Sequence, residues 1–199
     1  MTSYPLMEIF CSLQGEGVHA GKPAVFIRLG GCDVGCVWCD VKDSWDKNLH
    51  PEKSIKEILS DVNQFEPSLI IITGGEPLMY DLTELTVALK NSGKQLHLET
   101  SGAYPVSGVW DWICVSPKKF KAPLNDALLS ADELKVVVYN KTDFEWAEKH
   151  AKKVSPACAL LLQPEWGRSA KMLPSIISFA EKNPAWRVSL QQHKFLGLR

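Results

Sequence analysis

The chain has no apolar run approaching the ~18 residues that a membrane-spanning helix requires, so a helical span is not expected. It has no block of one charge either: 22 basic against 23 acidic residues leave a net charge of −1. Nucleic-acid binding through a basic surface is thereby disfavoured. The opening Met1-Thr-Ser-Tyr-Pro-Leu-Met-Glu8 lacks both a basic stretch and an apolar core, and no secretory signal is expected. Internal repeats, low-complexity segments and linkers are missing as well. At 199 residues the chain reads as one domain, 1–199, a size that buries about 70% of the unfolded surface.

Cysteine is scarce but concentrated. Three of the six lie within eight residues, Cys32-Asp-Val-Gly-Cys36-Val-Trp-Cys39, with no fourth close by. Cys11, Cys114 and Cys158 are isolated among apolar residues and read as core cysteines. A disulfide reading is poor, because three clustered thiols leave one unpaired and a chain of this size needs no staples. Free cysteines without a signal point to a reducing cytoplasm. Structural zinc normally takes four protein ligands, and a distant His or Cys could complete such a site. An iron–sulfur cubane has four irons. Three thiolates hold three of them and leave the fourth open to a substrate-like ligand. Both metals stay open on the triplet alone, and the open iron leans the reading toward an enzyme.

Short apolar, β-branched runs at 24–29, 69–73, 95–100, 112–116, 134–138, 159–163 and 187–191 read as strands. Ser54-Ile-Lys-Glu57, Asp81-Leu-Thr-Glu84 and Thr142-Asp-Phe-Glu145 have capping-box form and announce helices. A further helix runs from Lys171 to Lys182, closed by Asn183-Pro184. Strand–helix alternation implies an α/β fold with parallel pairing. Open and barrel-like sheets both satisfy it. The unusual residues decide between them, because the cysteine loop, Gly74-Gly75-Glu76-Pro77, Thr100-Ser101-Gly102, Ser116-Pro117-Lys118, Gln163-Pro164-Glu165 and Gln191-Gln192-His193-Lys194 all follow strands. Function gathered at carboxyl ends of strands is a barrel arrangement. The chain is short of the ~250 residues of eight βα units, so a partial, incomplete β/α TIM-like barrel is expected.

The cysteine motif after one strand and Gly74-Gly75-Glu76-Pro77 after the next resemble the radical S-adenosylmethionine superfamily. A narrower resemblance covers most of the chain, to the 7-carboxy-7-deazaguanine synthase family. It rests on Ser12-Leu-Gln-Gly-Glu-Gly17, Phe26-Ile-Arg-Leu-Gly-Gly-Cys32, Cys36-Val-Trp-Cys-Asp40 and Ser44-Trp45. Glu99-Thr-Ser-Gly102, Ser116-Pro-Lys118 and the closing Leu190-Gln-Gln-His-Lys194 complete it.

That resemblance implies a radical ring contraction of 6-carboxy-5,6,7,8-tetrahydropterin with loss of ammonia, in queuosine and 7-deazapurine biosynthesis. The implied cofactors are a [4Fe–4S] cluster, S-adenosylmethionine used catalytically, and magnesium at the substrate carboxylate. Cys32, Cys36 and Cys39 would hold the cluster, with Val37 and Trp38 bordering it. Gly75, Glu99, Thr100, Ser101, Ser116, Pro117, Lys118, Gln163, Pro164, Glu165 and Trp166 would hold S-adenosylmethionine. Leu13, Gln14, Gly15, Glu16, Arg28, Thr73 and His193 would bind the pterin, joined by Arg199 through its terminal carboxylate. Arg28 suits a planar anion, and a glutamate such as Glu16 accepts from pterin N–H donors. Taken singly, Trp38, Trp45 and His193 read as packing or structural residues. A homodimer and a flavodoxin or ferredoxin as electron donor are also implied.

One position departs from the family pattern. Members commonly place Thr or Ser two residues after the third cysteine as a magnesium ligand, and here that residue is Val41. Magnesium wants oxygen donors in octahedral geometry. Asp40, Asp43, a carbonyl or water has to substitute, or the metal is dispensable. Two other functions compete: an activase of a glycyl radical enzyme, which normally adds ferredoxin-type cysteines absent here, and a non-catalytic iron–sulfur or zinc protein.

Overall fold

In the computed structural model, which describes Thr2 to Leu198, nine strands form one sheet in the order β3-β1-β2-β4-β5-β6-β7-β8-β9. The strands are β1 (Ser3–Leu13), β2 (Pro23–Leu29), β3 (Glu52–Ser54), β4 (Leu69–Gly74), β5 (Gln95–Thr100), β6 (Trp112–Val115), β7 (Glu133–Val138), β8 (Ala159–Pro164) and β9 (Trp186–Val188). From β2 onward every neighbouring pair is parallel, whereas β1 pairs antiparallel with both β2 and β3. The sheet curves around a cavity but does not close, since β3 and β9 are both edges. It is the expected incomplete barrel.

The helices are α1 (Ile55–Val62), α2 (Thr83–Asn91), α3 (Asn125–Leu129), α4 (Thr142–Ala151), α5 (Ser169–Lys182) and α6 (Gln192–Phe195). Alternation along the strands sets the two faces. In β2, Val25, Ile27 and Leu29 join the helix-facing core while Phe26 and Arg28 line the cavity. In β7, Leu134, Val136 and Val138 pack outward while Lys135 and Val137 face the cavity. The outer core, which includes Ile58 and Val62 of α1, Leu85 and Leu89 of α2 and Ile176 of α5, gains roughly 1.5–3 kcal/mol for each fully buried large aliphatic side chain. The inner face mixes apolar side chains with charged ones such as Glu16, Glu99 and Lys135, and those polar groups must find partners.

Some elements differ from expectation. The eleven-residue β1 was not foreseen. Its ladder with β2 has a register shift between Leu6 and Glu8. Three-residue β9 stops short of the 187–191 strand read from sequence, and α6 follows it instead. Ser54 and Glu57 do form a capping box. At α2, Asp81 instead accepts from Thr83 N at 2.9 Å, and at α4 Asn140 Oδ1 accepts from Thr142 N at 2.9 Å. In both places a short polar side chain just ahead of the helix satisfies the early N–H without any reciprocal bond.

Candidate active site

The concave face holds a cavity of about 310 Å³. Cys32, Cys36 and Cys39 line one part of it, on a loop clamped at several points. Gly31 N donates to Ser44 O at 2.6 Å, Cys32 N to Trp45 O at 3.1 Å, and Glu76 N to Gly31 O at 2.8 Å. Gly75 sits where a Cβ would lie 2.1 Å from the Gly31 carbonyl oxygen and 3.0 Å from Cys32 Cβ. Only glycine lets the turn after β4 touch the cysteine loop. Burial pushes the Cys36 thiol up to about 11 and raises Cys32 as well, so iron must displace protons as it binds. Among the described residues, no three His, Cys, Asp or Glu side chains gather as ligands of a single ion. A cubane spreads its thiolates over separate irons, and three thiols on a clamped loop fit that demand.

Glu76 is buried and shapes the neighbouring rim. It accepts from Leu78 N at 3.0 Å, Thr100 Oγ1 at 2.5 Å, Ser101 N at 2.8 Å and the Ser101 hydroxyl. The hydroxyls of Thr100 and Ser101 thus hold the loop after β5 in place. Lys118 Nζ donates to Ser116 O at 2.8 Å and lies 5.6 Å from the Trp38 ring centroid.

A buried charge network crosses the middle of the cavity. Lys135 Nζ is 2.8 Å from Glu16 Oε2 and 2.9 Å from Glu99 Oε2, and Gln14 Nε2 donates to Glu99 Oε1 at 3.1 Å. Burial acts to raise the Glu16 pKa. The Lys135 charge, with hydrogen bonds from Lys135, Gln191 and Gln163, overcomes it and brings the value down to about 2. Burial lifts Glu99 above the usual carboxylate range; Lys135 opposes the rise, while the Glu133 and Glu16 charges add to it. One ammonium facing several carboxylates satisfies Glu16 and leaves Glu99 with excess negative charge around it.

Gln14, Gly15 and Glu16 belong to the β1–β2 loop, which crosses beneath the barrel. Val18 N donates to Glu133 Oε2 at 3.0 Å, and the His19 ring packs 4.5 Å from both His97 and Trp112. The carboxyl-terminal segment docks on the same loop through Gln192 N to Gly15 O at 2.8 Å. A Cβ on Gly15 would lie 2.0 Å from His193 Nδ1, so imidazole and loop backbone are in direct contact. Arg28 reaches the cavity wall with its Nε donating to Glu8 Oε1 at 2.8 Å.

Of the expected residues, Leu13, Gln14, Gly15, Glu16, Arg28, Thr73 and His193 share this cavity with the three cysteines, Trp38 and Asp40. So do Gly75, Glu99, Thr100, Ser101, Ser116, Lys118, Gln163, Pro164, Glu165 and Trp166. Val37 and Pro117 do not. They line an adjoining cavity of about 240 Å³ with Phe120, Tyr139 and Trp146, to which Trp38 and Lys118 also contribute. Arg199 lies outside the described residues. Lys135 and Glu76 were missed as site-forming residues. The signal for Lys135 was a charged residue at an alternate position of an apolar run, which marks the inner face of a barrel strand.

Residues 26–113 match the radical SAM superfamily. The chain is 53% identical over 194 residues to a 7-carboxy-7-deazaguanine synthase of Flavobacterium psychrophilum, covering 98% of this chain and 92% of that one. It is 51% identical to the synthase of Synechocystis sp., covering 99% and 94%. The chain belongs to the 7-carboxy-7-deazaguanine synthase family. A crystal structure of QueE from Escherichia coli superposes with a TM-score of 0.87 at 32% identity, covering 96% of this chain and 95% of that one. Membership in the radical SAM superfamily implies a [4Fe–4S] cluster and S-adenosylmethionine, and the clamped triplet of thiols fits the first.

The magnesium expectation meets different residues. Val41, at the position where the resemblance implies a hydroxyl, lines the cavity. The neighbouring Asp40 carboxylate is bound by Lys194 Nζ at 2.7 Å and contacted by Gln191 Nε2 at 3.4 Å. Val41 offers no side-chain oxygen to a hard dication, and the Asp40 carboxylate already has Lys194 as its partner.

Proposed function

We propose that the chain converts 6-carboxy-5,6,7,8-tetrahydropterin to 7-carboxy-7-deazaguanine with loss of ammonia, as a radical S-adenosylmethionine lyase of queuosine and 7-deazapurine biosynthesis. The observation that carries this reading is the joining of the cysteine loop and the Gln14–Glu16 loop in one cavity, in a chain of this family. When bound, the cluster and S-adenosylmethionine supply one-electron chemistry that generates a carbon-centred radical. Loss of ammonia alone balances the overall change, so no external oxidant is consumed.

The chain's own residues bind and orient. Glu16, ionised throughout the neutral range, accepts from the pterin amino and ring N–H groups. Gln14 and His193 frame the same ring, and Arg28, Leu13, Gly15 and Thr73 complete the pterin walls. Gly75, Glu99, Ser116, Lys118 and Gln163 to Trp166 hold S-adenosylmethionine on the cysteine side. The β1–β2 loop closes the underside of the barrel and limits access of water. One domain carries all of this. A flavodoxin- or ferredoxin-type donor, a homodimer and a cytoplasmic setting belong to the same reading and rest on the family resemblance.

An anaerobic turnover assay tests it. Cluster-loaded protein receives dithionite, S-adenosylmethionine and 6-carboxytetrahydropterin, and mass spectrometry follows 7-carboxy-7-deazaguanine, with Cys36→Ala as control. Product that depends on the cysteines supports the reading. Cleavage of S-adenosylmethionine to 5′-deoxyadenosine without deazapurine would assign a different substrate.

A further inference from the structure

Beside Val41 stands a positive charge that no family expectation assigns. Lys194 lines the cavity, and its ammonium is held by Asp40 at 2.7 Å and lies 5.2 Å from the Trp166 ring centroid. It stands on α6, a helix tied to the β1–β2 loop through Gln192 N to Gly15 O at 2.8 Å. Gln191 Nε2 links the same corner to Glu16 at 2.9 Å. The ammonium is fixed by a carboxylate, an aromatic face and an anchored helix.

Of the neighbouring cations, Lys135 and Lys118 are taken up by protein partners, and Arg28, which keeps N–H donors beyond the Nε held by Glu8, is left to the pterin wall. Lys135 holds Glu16 and Glu99, and Lys118 donates to both the carbonyl and the hydroxyl of Ser116. An ammonium carries three donors, and Asp40 takes one of those of Lys194. Asp40 is itself 54% exposed, so solvent screens its hold on the charge. A dication at Asp40 would compete with Lys194 for the carboxylate, and the adjacent Val41 offers no side-chain oxygen.

We propose that Lys194, rather than a magnesium ion, neutralises the carboxylate of the substrate in this chain. This rests on the carboxypterin reading given above. The ammonium donates to the carboxylate directly while Asp40 keeps one of its other donors, and substrate binding becomes independent of divalent cations. Lys194 is a specificity residue for the anionic substituent and takes no part in the bond changes.

The test is binding to cluster-loaded, unreduced protein, read by quenching of pterin fluorescence. 6-Carboxypterin and unsubstituted pterin are titrated into the wild type, Lys194→Met and Lys194→Arg, each in EDTA and in magnesium. The wild type is expected to prefer the carboxylated pterin by about tenfold, equally with and without magnesium. Lys194→Met should lose that preference while keeping its affinity for unsubstituted pterin, and Lys194→Arg should retain most of it. A preference that arises in the wild type only with magnesium, or that survives in Lys194→Met, overturns the proposal and leaves the pterin reading standing. If neither pterin binds the wild type, the substrate reading fails and this proposal falls with it.

Discussion

Lys135 Nζ lies 2.8 Å from Glu16 Oε2, an ion pair formed between the middle of a barrel strand and the loop that crosses beneath the barrel. It makes the pterin-facing loop and the barrel wall one electrostatic unit. Removing a single partner of a buried pair leaves an uncompensated charge. Lys135→Met is expected to lose on the order of 3 kcal/mol, seen as a drop of roughly 6–12 °C in Tm. Adding Glu16→Gln to that variant should recover part of the loss. Thermal unfolding of the two variants and the wild type measures both effects.

Glu16 also stays ionised far below neutrality, its pKa being lowered to about 2. Glu16→Gln keeps the shape but turns one acceptor into a donor facing the donors of the pterin. A rise in KM of about ten- to a hundredfold is expected, with a smaller change in kcat. An unchanged KM with a reduced kcat would place Glu16 elsewhere in the reaction.

Acid should loosen the underside of the barrel. Burial drives the His97 pKa down to about 4, helped by the nearby His19 and Lys22 charges and opposed by Asp111. Burial lowers His19 too, with Lys22 acting the same way and Glu133 opposing. Below an unfolded value of about 6.5 the unfolded chain binds protons that the folded chain refuses. The stability held by neutral His97 is therefore complete above about pH 6.5 and lost as pH falls toward about 4. Tm measured across that window should fall, and His97→Gln should flatten the slope.

Gly75→Ala sets a new methyl group against the Gly31 backbone. The cysteine loop has to shift, and iron bound per chain after reconstitution should drop well below the wild-type level. Gly35→Ala is the comparison: its φ of 72° disfavours a side chain, but a Cβ there meets nothing within 4 Å. It should cost about 1–2 kcal/mol and still load iron.

Val41→Thr returns an oxygen donor to the corner beside Asp40. Stimulation of turnover by magnesium should increase, most of all in combination with Lys194→Met, where the competing charge is gone. Rates compared in EDTA and magnesium give the answer, and an unchanged response would remove the link between position 41 and the metal.

The parallel strands were legible because a buried strand with helices outside it reads as a compact apolar run. The antiparallel β1 was not, since Pro5 and Glu8 interrupt its pattern and its register is set by β2, whose partner residues lie 10 to 23 positions further on. The cysteine loop and the Gln14–Glu16 segment carry unusual residues at fixed spacing, and motif reading found both. Lys135 shows locally only as a charge within an apolar strand, and Glu76 only as part of a glycine-rich turn; neither shows its partners. Their roles come from partners 119 and 36 residues away for Lys135, and 24 and 25 residues away for Glu76. Distance in sequence hides that chemistry until the barrel forms.

The two margins of the sheet, β3 and β9, are only three residues long. A margin that short offers another chain few unsatisfied backbone groups to pair with, a common safeguard against sheet-to-sheet growth. The barrel stays unsealed, with a wide mouth for two bulky ligands, and β3 covers only Ser3 to Pro5 of the eleven-residue β1, so the burden of guarding that margin passes to the side chains along β1.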